Sequence, residues 1–338
     1  MKRIIWASIL LGLAAILMPA LFLRGQVEGM YEENYEPPLP AQAQQSPAPT
    51  EEGIKTPTEG RDSQILFRLS DNGSVRETNM EEYLPYAIAA EMPLSFGFEA
   101  LKAQAVAART YVLYCMENQN PKHPDGDICT DSGCCLAYLD EGALRGAWAA
   151  EYEENLETVK AAVLATDGQV LHYENSPILA CFHSSSAGKT ESGSALWADV
   201  PYLISVESPE REIDVPNFVT TVEVSADDFR ETVLLLRENA AFSDDPSQWL
   251  EDVLQDDSGR VKSVLIGGVS LTGQEMRSLF ALRSTAFTLE YKDGVFFFTV
   301  TGYGHGLGMS QYGANVMAKN GFNYREILLH YYPDTKLS

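Results

Sequence analysis

Three groups of residues in this 338-residue chain have the types and spacing to do chemistry. The first is a lone carboxylate, Glu91, set between Ala89, Ala90, Met92 and Pro93. Apolar neighbours disfavour the ionised form and raise a carboxyl pKa, and an acid still protonated near neutrality can serve as a general acid. On pattern alone the stronger readings are a cap for the next helix or an ion pair with Lys102 or Arg109. The second group lies in KHPDGDICTDSGCCLAY, from Lys122 to Tyr138. His123, Cys129 and Cys135 are spaced six and six, so one imidazole and two thiolates can converge on a tetrahedral ion, and zinc suits that ligand softness in a closed, structural site. A disulfide from Cys129 to Cys134 or Cys135 competes with it, as do unpaired thiols like Cys115 and Cys181. The third group is GYGHGLGMSQYGA. There Gly302, Gly304, Gly306 and Gly308 let the backbone approach a ligand closely, His305 sits at the tip, and Ser310, Gln311 and Tyr312 are further candidates for contacts to such a ligand.

The elements that must position these groups are legible in outline. Tyr83 to Tyr111 reads as two helices meeting at a corner beside Glu91. Asn79 caps the first with Glu82 reaching back to it, Pro93 stops it, and Ser95 opens an alanine-rich second helix. Ahead of them Ile65 to Leu69 and an Asp71-Asn72-Gly73 turn predict a strand pair. Glu141 to Ala165 is helical in pieces, ended by Asp167-Gly168. Val170–Tyr173 and Ile178–Phe182 read as strands, the second running into a loop with His183, Ser184 and Ser185, whose hydroxyls suit glycan hydrogen bonding. Trp197 and Tyr202 serve either as a sugar platform or as core. Residues 208–263 look like a peripheral insert without chemistry. Thr285–Tyr291 and Val295–Thr301 form a hairpin around Lys292-Asp293-Gly294; a helix follows from Ser310 or Gln311, and Asn323 caps the last one. Helices and strands alternate without regular βαβ repetition, so the fold class is α+β, with mixed helices and antiparallel strands in one elongated or two-lobed domain.

Composition narrows the function. With 48 acidic against 24 basic residues the net charge is −24, which argues against nucleic acid, whose binding rests on basic residues neutralising phosphates. No GxSxG elbow, phosphate loop or HExxH pair is present. Lys2 and Arg3 precede an uncharged run from Ile4 to Leu23, long enough to span a bilayer. Residues 1–24 therefore read as a cytoplasmic stub and uncleaved transmembrane anchor, single-pass with everything beyond outside the cytoplasm; a cleaved signal peptide is the alternative. Residues 25–63, rich in Pro, Gln and Glu, read as a disordered tether, and 64–338 as the ordered domain.

EYLPYAIAAEMP followed by EALKAQAVAARTY, and GYGHGLGMSQYGANVMAKNG further on, together resemble the two signatures of the stage II sporulation protein D family. The resemblance covers most of the chain beyond about residue 64. It implies a lytic transglycosylase that cleaves peptidoglycan glycan strands, already stripped of stem peptides, during engulfment of the forespore. It implies that Glu91 is the catalytic acid, that no cofactor is needed for catalysis, and that the partners are a peptidoglycan amidase and a membrane scaffold protein. Arg109, inside the first signature, is then expected to face substrate or a carboxylate other than Glu91. Members of the family carry a His-Cys pair where this chain has Cys134-Cys135, which leaves Cys134 a fourth ligand or a bystander. The same domain occurs in enhancers of wall amidases, so a wall-binding activator is the rival reading.

Overall fold

The computed structural model describes residues 60–196 and 200–338. The expected anchor, most of the tether and Trp197 lie outside the described residues, and among the described residues no helix is long and apolar enough to cross a membrane. The chain is α+β, arranged around two main hydrophobic cores.

The first lobe begins with α1 (Arg61–Gln64), three residues ahead of the expected boundary, because Asp62 is part of the core polar structure. Strands β1 (Leu66–Asp71) and β2 (Ser74–Asn79) pair in register, Leu66 opposite Asn79, through a turn whose Asn72 and Gly73 both have positive φ, 48° and 84°; that is the hairpin turn matching strand twist. Helix α2 (Met80–Glu91) follows directly. Asn79 accepts the Glu82 N–H, but Glu82 accepts from the Thr78 hydroxyl rather than closing the box. Helix α3 (Phe98–Glu117) is capped at Gly97, not Ser95, and the Gly97 N–H donates to Asn315 Oδ1 at 2.9 Å. Its alanines are almost all buried, and small side chains let neighbouring helices pack close. Next come β3 (Ile128–Cys129), parallel to β1, and helices α4 (Glu141–Trp148) and α5 (Tyr152–Leu164). Strands β4 (Leu171–Tyr173), β5 (Ser176–Pro177) and β6 (Phe182–His183) are shorter than expected; most of Ile178–Phe182 carries no strand pairing.

The second lobe holds β7 (Val219–Ser225), α6 (Ala226–Leu236), β8 (Leu250–Gln255), β9 (Val261–Ile266), β10 (Val269–Thr272), α7 (Gly273–Leu279), β11 (Phe287–Lys292) and β12 (Val295–Thr301). Its two antiparallel sheets, β10-β9-β8 and β11-β12-β7, sandwich a core in which Phe229 stacks on Phe296 at 3.9 Å. Residues 208–263 are therefore not a peripheral insert. Most of them are half of this lobe, and the expected β11–β12 hairpin is the other half. Ser208 and Glu210 are buried against the C-terminal helix instead. The chain returns through the glycine loop to β13 (Met309–Ser310), parallel to β6, then α8 (Gln311–Lys319), α9 (Tyr324–Tyr331) and β14 (Lys336–Leu337). Gly308 allows that return: a methyl there would meet the Cys181 carbonyl oxygen at 2.0 Å.

Candidate functional site

Glu91 is the last residue of α2, half-buried at the corner where the helix stops. Met92 is extended (φ −129°, ψ 132°), as the following proline requires. Burial pushes the Glu91 carboxyl above its ordinary range, while the Ala137 N–H, 2.6 Å from Oε1, pulls the other way. The negative end of the helix dipole also disfavours the anion here. The two signatures meet at this point: Gln311 Nε2 donates to the Glu91 carbonyl at 3.0 Å, satisfying a carbonyl that the helix end leaves open. Tyr312, the next residue, packs edge-on to Phe96 at 4.8 Å.

The donor to Glu91 comes from the cysteine-rich loop, two residues after Cys135. The ligand atoms of His123, Cys129, Cys134 and Cys135 all lie within 4.8 Å of one another, close to the ~3.8 Å separation that two thiolates have on a tetrahedral zinc at about 2.3 Å. His123 Nδ1 lies 3.1 Å from the Gly126 carbonyl, which presents Nε2 to the cluster, 3.2 Å from Cys135 Sγ. The donor set fits a closed zinc site, and Cys134 belongs to it. Tyr83 joins the two sites. Its phenol is buried without a partner, and burial first, then Cys135 and Glu91, raise its pKa far above that of a free tyrosine.

The remaining expected residues divide. Arg109 does not face substrate. It is fully buried, with Nε and Nη2 on Asp62 at 2.7 and 2.6 Å and further bonds to the Gln169 and Val163 carbonyls. The different carboxylate is the alternative realised. Ser185 is buried, its backbone paired with Tyr303, and Ser310 is buried as the cap of α8, donating to Glu210. Both are scaffold, because neither hydroxyl reaches the surface. Ser184 is half-buried with its carbonyl taken by Tyr312 N–H at 3.0 Å. His305 is half-buried, 5.8 Å from the buried His183 ring; burial and then Arg277 and Arg260 push its pKa down to about 4. Tyr202 packs on Tyr173. Glu210 went unnoticed in the sequence because two of its three partners are remote: it accepts from Ser208 close by, but also from the Ser186 N–H at 2.6 Å and from Ser310, which lie in distant segments.

A family model described as Stage II sporulation protein matches residues 70–173, which include Glu91, Arg109 and the cysteine cluster. The chain is 36% identical over 275 residues to "Stage II sporulation protein D" of Bacillus amyloliquefaciens, covering 81% of this chain and 78% of the relative. It is 34% identical over 296 residues to the protein of that name from Bacillus subtilis (strain 168), covering 87% and 84%. An "Amidase enhancer" of the same Bacillus subtilis strain is 28% identical over 307 residues, covering 73% of this chain and 39% of the relative. With a catalytic-type carboxyl and a cysteine cluster brought together inside the matched segment, and likeness extending across both lobes, the chain belongs to the stage II sporulation protein D family.

Proposed function

We propose that this chain is a lytic transglycosylase acting on peptide-stripped peptidoglycan, cleaving the bond from N-acetylmuramic acid to N-acetylglucosamine in septal wall remodelling and engulfment during sporulation. One observation carries the reading: Glu91, at the corner where the two signatures meet, is a carboxyl whose protonated form burial favours, and the signatures present no second carboxyl in such a setting. Hydrolases that use two carboxylates need an acid and a base or nucleophile. Transglycosylation needs one. Glu91 gives its proton to the glycosidic oxygen as the C1–O bond breaks, and the substrate's N-acetyl group stabilises the cation. The C6 hydroxyl then closes on C1, returning its proton to Glu91 and leaving a 1,6-anhydro end. Oε1 stays on the Ala137 N–H, so Oε2 is the oxygen that exchanges the proton.

His123, Cys129, Cys134 and Cys135 would hold a structural zinc ion, whose contribution is to fix the loop that carries Ala137. Metal content per chain, and its loss in Cys129→Ser with a lowered melting temperature, test that assignment; metal-free protein with an unchanged melt refutes it. The run Ile4–Leu23 would anchor the chain in the cell membrane, N-terminus inside, with the two lobes in the intermembrane space. Wall amidase and a membrane scaffold are the partners this placement favours.

The test is mass spectrometry of products from peptide-free glycan strands incubated with the protein and with Glu91→Gln. Anhydro-ended fragments from the parent alone are expected, with a rate loss of about 10²–10⁴ in the variant. Activity should fall as pH rises through a Glu91 pKa above the ordinary carboxylate range. Reducing ends would mean hydrolysis. No cleavage, with amidase stimulation intact, would favour a wall-binding enhancer, the reading that the 28% relative supports.

A further inference from the structure

Three arginines stand beside the glycine loop without the partners that buried cations ordinarily have. Arg260, immediately before β9, is 1% exposed, yet its Nε and Nη2 have no hydrogen-bond partner. Its one bond is long, 3.5 Å from Nη1 to the Thr285 hydroxyl. Glu191, Asp256 and Glu210 favour its charge through space, but none bonds to the guanidinium. Gly306 lies directly on it, so close that a methyl at that position would fall 2.5 Å from Cζ. Arg283 lies over the Tyr303 ring at 4.4 Å with its Nε buried and also unpartnered, and its carbonyl accepts the Gly304 N–H. Arg277, half-buried, spends its Nε on the Leu282 carbonyl at 3.3 Å. Among the described residues none of the three forms an ion pair.

This is not for want of acids, which outnumber bases two to one in the chain. A buried cation left without hydrogen bonds lowers stability, so its retention under a glycine loop whose backbone approaches it closely points to a ligand. The glycine loop joins the cluster to Glu91: Arg283 lies on Tyr303 where the loop begins, and Gln311 just after it holds the Glu91 carbonyl at 3.0 Å.

The geometry points to an anion subsite in which Arg277 and Arg283, backed by Arg260, take the lactyl carboxylate of a muramoyl residue whose stem peptide is gone. This rests on the reading of wall glycan as substrate. While the peptide is attached, that lactyl group is a neutral amide. Hydrolysis of the amide exposes a carboxylate, and a guanidinium offers it two parallel N–H donors plus charge. The subsite therefore assigns to Arg277 and Arg283 the discrimination between stripped and peptide-bearing glycan that the proposed substrate requires.

The test is calorimetric titration of the full-length protein carrying Glu91→Gln, so that ligand is not consumed. Three probes are compared: an alternating N-acetylglucosamine–N-acetylmuramic acid tetrasaccharide with free lactyl carboxylates, the same tetrasaccharide with those groups as methylamides, and chitotetraose. The free acid is expected to bind about tenfold tighter than either neutral probe, with the advantage shrinking at high salt. Adding Arg283→Gln should erase the advantage, lowering the affinity for the free acid more than that for either neutral probe; Arg283→Lys should keep part of it, and Arg277→Gln provides the same comparison should Arg283→Gln fail to fold. Equal affinity for acid and methylamide, or a preference that survives Arg277→Gln with Arg283→Gln, overturns the subsite while leaving glycan binding in place. Binding of none of the probes overturns both readings. Tight binding of a glycerol-phosphate oligomer with no gain from the lactyl carboxylate reassigns the arginines to a phosphate polymer and overturns the proposal.

Discussion

Arg109 and Arg260 are both essentially excluded from water, one in each lobe's half of the molecule, and they are opposites. Arg109 is bonded along its whole guanidinium edge, with Asp62 taking two N–H groups and two carbonyls taking more. Arg260 keeps two nitrogens without partners, as Arg283 beside it keeps one. Removing a buried cation from water is costly, and only full pairing offsets that cost. A fully paired arginine has nothing left to offer a substrate. An unpaired one is under-satisfied until something arrives. In this molecule the arginine inside the sequence signature is scaffold, and the arginines with spare donors lie in a region that the motif does not mark.

The largest effect should come from breaking the satisfied pair. Arg109→Ala strands the Asp62 carboxylate, 2% exposed, with only the Gly168 N–H for company, and should lower unfolding free energy by about 3–5 kcal/mol in urea denaturation. Pairing it with Asp62→Leu should recover part of that loss, because no charge then remains buried. A single variant that kept its stability but lost glycan affinity would reverse the assignment of Arg109 as scaffold.

Glu191 sharpens the contrast. It is buried near Arg260, and burial and then Asp256 raise its pKa to about 7, against the pull of the Ser192 N–H and Arg260. A carboxyl whose folded pKa is raised holds its proton in the folded state when the unfolded chain has released it. Its contribution to stability is thus complete below about pH 4 and lost as pH rises through 7. The difference in stability between Glu191→Gln and the parent should therefore shift by of order 2 kcal/mol in favour of the variant between pH 5 and pH 8. If Glu191 were instead ionised and paired with Arg260, as Asp62 is with Arg109, the variant would be weaker at both pH values and the contrast between the arginines would collapse.

Gly306 should give a smaller change. Its φ of 87° disfavours any side chain, and a methyl would press on the Arg260 guanidinium. Gly306→Ala should lower stability by about 1–2 kcal/mol and weaken carboxylate-bearing glycan more than chitotetraose, because the displaced cation backs the anion subsite. Equal weakening of both probes would mean that the glycine serves the loop's shape alone.

What the sequence disclosed follows from the range of the interactions involved. The Asn72-Gly73 turn, the stop at Pro93, the β11–β12 hairpin and the Asn323 cap depend on residues a few positions apart, and all were legible. The raised Glu91 carboxyl was legible because its apolar neighbours are adjacent in the chain. The partner of Arg109 was not: Asp62 lies 47 residues away, at the edge of what composition marked as tether. Residues 208–263 looked empty of chemistry because Glu210 draws two of its three partners from distant segments, and because β7 pairs with β12 much further along the chain. Ser185 and Ser310 turn out to be buried, the second as a helix cap, which the sequence did not show because motif membership does not separate a hydroxyl that faces a ligand from one that faces the core.

The smallest expected effect is the one that best isolates function from folding. Arg283→Met removes a cation that forms no ion pair and whose Nε is already unsatisfied, while its aliphatic replacement can still lie over Tyr303. Deleting a paired group at such a depth would cost several kcal/mol; deleting this one should move unfolding free energy by no more than about 0.5 kcal/mol, and upward if anything, because a buried donor without a partner is lost. Set beside Arg109→Met, which should fall by several kcal/mol for the stranded Asp62, the pair of melts contrasts a fully buried, fully paired guanidinium with a half-buried one whose Nε has no partner among the described residues. A comparable loss in both variants would put Arg283 with the scaffold and remove the physical ground for a ligand at the glycine loop.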